Sequence, residues 1–354
     1  MKNLTISIIA LFILATAGTF ATVRTVSNNA GTKAQYTSLQ AAIDAAVAGD
    51  TIYVHATINN YGDVTVTGKA LVIMGAGYNR PDGVNAAVNS IILNNADNTK
   101  INGINCNYIS GTNSNYINIS NCSIYIGSNS GFAVIICGSN WNLFNNIFAG
   151  SFIVYGWGEC INIQNNTNTQ IFNNIFSYQY ASNRVIHNSN SNLTFIFNNL
   201  FFSSSFSNIS NANFINNIFY GNRYPSGCEY CVFDNNLTYN TDQNTLPYGT
   251  NTGSNNIINQ NPLFINNSNY SFDYTDNFGL QASSPCIGAG IDSSDIGLYS
   301  TYMMNRPWRN LTSNNLPDYS GEPLIPQIRL LNTLPKAVGI GGNINININA
   351  VKKD

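Results

Sequence analysis

Between Lys100 and Asn256 the chain alternates short apolar clusters with Asn. Phe144-Asn145-Asn146-Ile147-Phe148 returns as Phe172-Asn173-Asn174-Ile175-Phe176, as Phe197-Asn198-Asn199-Leu200-Phe201 and as Ile215-Asn216-Asn217-Ile218-Phe219. Looser copies are Asn235-Asn236-Leu237 and Asn255-Asn256-Ile257, with Ile104-Asn105-Cys106 and Ser120-Asn121-Cys122 upstream. With the second Asn as marker, positions 105, 121, 146, 174, 199, 217, 236 and 256 are separated by 16, 25, 28, 25, 18, 19 and 20 residues. The clusters are β-branched or aromatic and bounded by Asn, Ser or Gly, which predicts short strands ended by sharp bends. Units this small cannot bury a face alone, so the repeat predicts an all-β solenoid whose stacked units share one core. The L-x-x-L-x-L pattern of leucine-rich repeats is missing, and so is helical periodicity in this region.

The shared frame predicts positions as well as a fold. Asn tolerates the left-handed backbone of a sharp bend, and stacked Asn side chains can hydrogen-bond along a ladder. Asn146, Asn174, Asn199 and Asn217 are therefore expected one above another, with Ile147, Ile175, Leu200 and Ile218 pointing inward. Phe148, Phe176, Phe201, Phe202 and Phe219 follow the repeat too regularly for a binding stripe and read as a stacked row in or beside the core. Cys106 and Cys122 fall at equivalent marker positions and are expected buried and adjacent, as free thiols, since strands stack at ~4.8 Å.

At the N-terminal end Thr37-Ser38-Leu39-Gln40 forms a capping box. Leu39, Ile43, Ala46 and Val47 then share one face of a short helix closed by Gly49, suited to cover the open end of a solenoid. Asp50-Thr51-Ile52-Tyr53-Val54 reads as the first strand. The segment Ser38 to Ile43, followed by Ala48 to Val54, resembles the opening of secreted right-handed parallel β-helix proteins of the pectate-lyase-like superfamily. Asn261-Pro262-Leu263-Phe264, Ser284-Pro285-Cys286-Ile287 and Asp295-Ile296-Gly297 resemble the closing signature of that superfamily. The resemblance covers roughly residues 24–300, about ten coils of ~22 residues. It implies a right-handed parallel β-helix with an N-terminal capping helix, and its motifs are structural rather than specific for an activity.

Residues 1–21 read as a signal peptide, with Lys2, an apolar stretch from Leu4 to Leu14 and small residues at Ala15, Ala17 and Ala21. The helix domain is assigned to 22–300, and 301–354 to an irregular Pro-containing segment with a C-terminal strand tail, where Ile340 to Ile348 alternates Ile with Asn. The expected location is extracellular or periplasmic, secreted or at the cell surface, with no transmembrane segment once the leader is removed. Only 8% of residues are charged and the net charge is -2, so no field draws the protein to nucleic acid. Asn fills the gap at roughly one residue in six, but the 44% hydrophobic content argues against disorder. The seven cysteines are too few and odd in number for a disulfide-built scaffold. The Cys228-x-x-Cys231 pair lacks a second pair, which leaves a local disulfide or two buried thiols.

The resemblance raises polysaccharide-lyase or glycosidase chemistry, and the sequence offers little for either. Recurring acidic groups of a lyase calcium site are not recognisable, nor are the paired-Asp, Gly-His-Gly and Arg-x-Lys motifs of polygalacturonases. No cofactor or metal site is recognisable, and Ca²⁺ has no support. The longer coils between Asn121 and Asn199 carry Trp141, Tyr155, Trp157, Glu159, Tyr178, Tyr180, Arg184 and His187. Extra residues in a solenoid become loops on one side, and flat aromatic faces suit sugar rings. Tyr155, Trp157, Glu159, Tyr178, Tyr180 and Arg184 are thus the candidate binding residues, expected on one lateral face, while Arg184, Glu159 and His187 are the candidates for acid or base. The plainer reading has the aromatics cover the loops and Glu159 solvated. Three functions remain in play: binding of extracellular polysaccharide on a lateral face, a polysaccharide lyase, and a structural stalk or adhesin.

Overall fold

The computed structural model of the protein describes residues 21–78, 84–125, 132–150, 159–164, 167–178, 184–189, 192–267, 269–298, 300, 327–329 and 349–351. Ten strands pair side by side on the first face, from Val23–Val26 through Thr51–Val54, Val72–Gly75, Lys100–Asn102, Asn118–Ser120, Asn142–Phe144, Thr167–Phe172, Asn192–Phe197 and Asn213–Ile215 to Val232–Asp234. A thirteen-stranded sheet supplies the second and third faces. Its strand Asn105–Thr112 links them: Asn105 pairs with Ser123 on the second face, and Ile109 with Val134 on the third. Every pairing in these two sheets is parallel, so the chain climbs one strand per turn as a right-handed parallel β-helix.

Alternation along each strand builds the core. On the first face Ile73, Ile101, Ile119, Leu143, Ile171 and Ile196 are consecutive partners in register, and all are fully buried. Helix α1, Leu39–Ala45, lies over the start of the coil with Leu39, Ala42 and Ile43 buried. Ser38 caps its first turn, and Lys69 Nζ donates to the carbonyls of Ile43 and Ala46 at 2.7 and 2.8 Å, satisfying its last. Asp50, also buried, fastens the first strand. Burial pushes its carboxyl upward, but hydrogen bonds from Thr22, Arg24 and Val47 outweigh that and hold it well below the usual carboxylate range.

The Asn-Asn pair divides the two tasks that the sequence assigns to one residue. The first Asn turns the chain: Asn145, Asn173, Asn198, Asn216 and Asn235 have φ between 53 and 58°. The second Asn faces inward and builds the ladder. Asn174 donates its backbone N–H and its Nδ2 to Asn199 Oδ1 at 2.9 and 3.0 Å, and Nδ2 also reaches the carbonyl of Leu143 at 2.9 Å. The same bonds link Asn146, Asn174, Asn199, Asn217, Asn236 and Asn256 across chain separations of 28, 25, 18, 19 and 20 residues. Asn146, Asn174, Asn199, Asn217 and Asn236 are fully buried, and the pattern uses both the donors and the acceptor of each amide.

The expected inward row is therefore corrected. With the second Asn pointing in, the next residue points out and the one after points in. Phe148, Phe176, Phe201 and Phe219 fill the interior, stacked with ring centroids 4.8, 4.7 and 5.3 Å apart. Ile175, Leu200, Ile218 and Leu237 lie outside the coil. They are nevertheless buried, with Phe202 and Tyr220, under Phe264, Phe278, Cys286, Ile296 and Leu298. Residues 264–298 thus form a strap that runs back along the second face. The first Asn of three pairs anchors it: Asn173 Nδ2 donates to Leu298 O at 2.8 Å, Asn235 Nδ2 to Ala289 O at 2.9 Å, and Asn216 Oδ1 accepts from Ile291 N at 3.0 Å. Gly297, at φ 98°, sits so close to Ile218 that a Cβ would come within 2.5 Å of its Cδ1. Further along, Phe272 N donates to Ser177 Oγ at 2.8 Å and the Tyr274 ring meets Tyr78 at 6.2 Å.

The upstream markers are also corrected. Asn105 pairs with Ser123, a true coil of 18 residues where the marker interval was 16, so Cys106 aligns with Ile124 rather than Cys122. Cys122 takes the ladder position, its N–H donating to Asn146 Oδ1 at 3.0 Å, and Asn121 takes the turning role at φ 50°. Both cysteines are buried free thiols, as are Cys228 and Cys231. Gln327–Arg329 pairs antiparallel with Asn349–Val351, while the Ile340–Ile348 alternation and the predicted leader fall outside the described residues. Among the described residues no helix is long and apolar enough to cross a membrane.

Candidate functional site

Of the residues chosen from sequence, the described ones are Glu159, Tyr178, Arg184 and His187, on strands of the second and third faces. Tyr178 closes the second-face strand Ile175–Tyr178, and Arg184 opens the next strand, Arg184–Ser189, on the third. Glu159 opens the neighbouring strand Glu159–Gln164. Ile161 pairs with Ile186, and Glu159 and Arg184 each stand two residues before that pair. Tyr155, Trp157 and Tyr180 lie outside the described residues. His187 pairs with Asn162, and its imidazole is held below the usual range first by burial and then by the Arg184 charge. Trp141 is a correction. It is fully buried in the core, its Nε1 donates to Ser114 O at 2.7 Å, and Gly111 leaves room for its ring. Among the described residues no three His, Cys, Asp or Glu side chains converge on a common point.

A second concavity lies on the outer side of the first face, at the other edge of its strands. Lys100, Asn118, Asn142 and Gln170 are consecutive partners in register and form one column. Their strands bury Ile101, Ile119, Leu143 and Ile171, so by alternation these four point outward. Beside them, two residues earlier in each coil, Asn98, Tyr116, Asn140 and Asn168 form a second column, all four at φ between 57 and 62°. The two columns line an open trough of about 280 Å³. Its amides are linked along the helix axis: Asn168 Nδ2 donates to Asn140 Oδ1 at 2.7 Å and Asn142 Nδ2 to Asn118 Oδ1 at 3.1 Å. Phe144, half-buried, stands next to Asn142 and Leu143 on the same outward side, stacked on Phe172 at 5.0 Å.

Sequence reasoning missed this trough. The signal was present: Lys100, Asn118, Asn142 and Gln170 each stand three residues before a turning position, Gly103, Asn121, Asn145 and Asn173. In so Asn-rich a chain, two more Asn columns do not stand out.

No protein-family model and no curated protein matches the chain. Among solved structures the chain is similar to pectate lyase Pel9A, with a TM-score of 0.47 and 13% identity over 80% of this chain and 97% of that one. It is also similar to a mannuronic acid specific polysaccharide family 6 lyase from human gut microbiota, with a TM-score of 0.41 and 13% identity over 61% and 58%. Pectate lyase Bsp165PelA from Bacillus sp. N165 gives a TM-score of 0.30 and 15% identity over 67% and 92%. By its own strand register, the chain is a right-handed parallel β-helix.

Proposed function

We propose that the protein is an exported β-helix that binds extracellular polysaccharide along its side, through the trough on the first face. The observation that carries this reading is the set of six outward carboxamides in two columns across four successive coils. A carboxamide donates and accepts, as a sugar hydroxyl does, so a row of them can hold hydroxyls without ionisable chemistry. Strands rather than loops present the column Lys100, Asn118, Asn142 and Gln170, which lowers the cost of ordering it on binding. Tyr116, 55% exposed, and the Phe144 edge add apolar surface for the C–H face of a sugar. The test is retention on a panel of insoluble polysaccharides. The double variant Asn118→Ala/Asn142→Ala is expected to lose retention while melting close to the parent. Undiminished retention would overturn the trough as the site. Replacing Trp157 and Tyr180 by Ala asks the same of the residues chosen from sequence.

A further inference from the structure

The trough's charge and its coil-by-coil register point to a narrower ligand class. We infer that the ligand is an uncharged glycan in an extended, ribbon-like conformation, lying parallel to the helix axis. The inference rests on the reading of the trough as a glycan site and deepens it.

Charge is the first ground. Lys100, exposed at the first coil of the trough, is its one cation among the described residues. The following coils present Asn118, Asn142 and Gln170 in one column and Asn140 and Asn168 in the other. A polyuronate places a carboxylate on every sugar unit, and each one desolvated against the wall would need a charge-assisted donor. Past Lys100 the wall offers one amide oxygen for every NH2 group and no further cation among the described residues, so successive carboxylates would meet acceptors beside neutral donors. At the same margin Asp97 adds a negative charge, its Oδ1 accepting from the N–H of Asn115 at 2.7 Å. Hydroxyl groups have no such conflict, because either end of a carboxamide suits them.

Geometry is the second ground. Equivalent residues advance by one strand spacing per coil, ~4.8 Å. The axial bonds Asn168–Asn140 and Asn142–Asn118 hold the amides in that order. An equatorially linked pyranose chain is a flat ribbon whose unit advance is close to this spacing, so successive units can repeat one set of contacts on successive coils. A glycan that coils leaves the wall after one or two units.

The experiment is calorimetric titration of the full chain with four hexasaccharides: a β-1,4-glucan, a β-1,4-mannan, an α-1,4-glucan and an α-1,4-galacturonan, each at low and high salt. At least one of the two extended neutral ligands is expected to bind about tenfold or more tighter than the coiled and the charged ones. Its affinity is expected to be insensitive to salt. Equal or tighter binding of the galacturonan or a steep salt dependence would overturn the neutral class. Equal binding of the α-1,4-glucan would overturn the extended shape. Either result leaves the trough standing as a glycan site if Asn118→Ala/Asn142→Ala abolishes that binding. Absence of binding to all four overturns the inference and the reading beneath it together.

Discussion

The second face and the trough half of the first face are both built from short parallel strands that meet at left-handed turns. Yet Leu200-Phe201-Phe202 and Ile218-Phe219-Tyr220 are buried at every residue, whereas Asn142-Leu143-Phe144 alternates half-buried, buried, half-buried. The difference is the strap. A strand covered on both sides reads as an unbroken apolar run, and a strand with one wet side reads as alternation. Composition on the outer side of each face thus records what lies over it, water or chain.

The sharpest way to break this comparison is the same substitution on each side. Asn199→Asp buries a charge, removes two donors and strands the ladder, so a loss of about 4 kcal/mol or more in denaturant unfolding is expected. Asn142→Asp keeps its charge at the wet margin and is expected to cost about 1 kcal/mol or less. Equal costs would mean that the two Asn rows are not inside and outside as described.

Smaller in effect, Gly297→Val should lift the strap, because a side chain there meets Ile218 and the backbone is left-handed. A loss of about 1–3 kcal/mol is expected, with new binding of a hydrophobic dye to the bared second face. Stability loss without dye binding would show that the strap stays in place and that strain alone was added.

The mildest test uses acid. Asp50 is held ionised at the start of the first face, its folded pKa lying below its unfolded value. The stability it contributes is therefore present above about pH 4 and lost as pH falls further. The amides of the second-face ladder do not titrate. Hydrogen exchange at low pH should show Val23–Val26 losing protection before Asn174 and Asn199. Simultaneous loss would count against Asp50 as the fastening group.

Much of this was legible. The Asn frame from 146 onward, the buried Phe row and the capping helix all follow from local pattern, because stacking repeats one local solution. Parity was not legible: in Asn-Asn-Ile-Phe two apolar residues follow the Asn, and period-2 alternation cannot tell which one points in. The strap was seen as motifs but not as a position, since its anchors are distant in sequence, 125 residues separating Asn173 from Leu298. Trp141 was misplaced because a large aromatic in a long coil reads the same whether it faces solvent or fills a corner behind Gly111. Among the residues chosen from sequence, the shared level of Glu159 and Arg184 follows from strand order, while the wall of carboxamides was hidden by the abundance of its own residue type.

The strap also sets a sequence of events in time. Coils need only their neighbours, so they can form one after another as the chain emerges from its N-terminus. Residues 264–298 follow the coils and, at their three Asn anchors, must find partners made 54 to 125 residues earlier. Until they arrive, Ile175, Leu200, Ile218 and Leu237 form a bare apolar stripe down a structure that is otherwise complete. A chain halted at Pro262 would be coiled but adhesive, and its natural cover would be the same stripe on another unfinished chain.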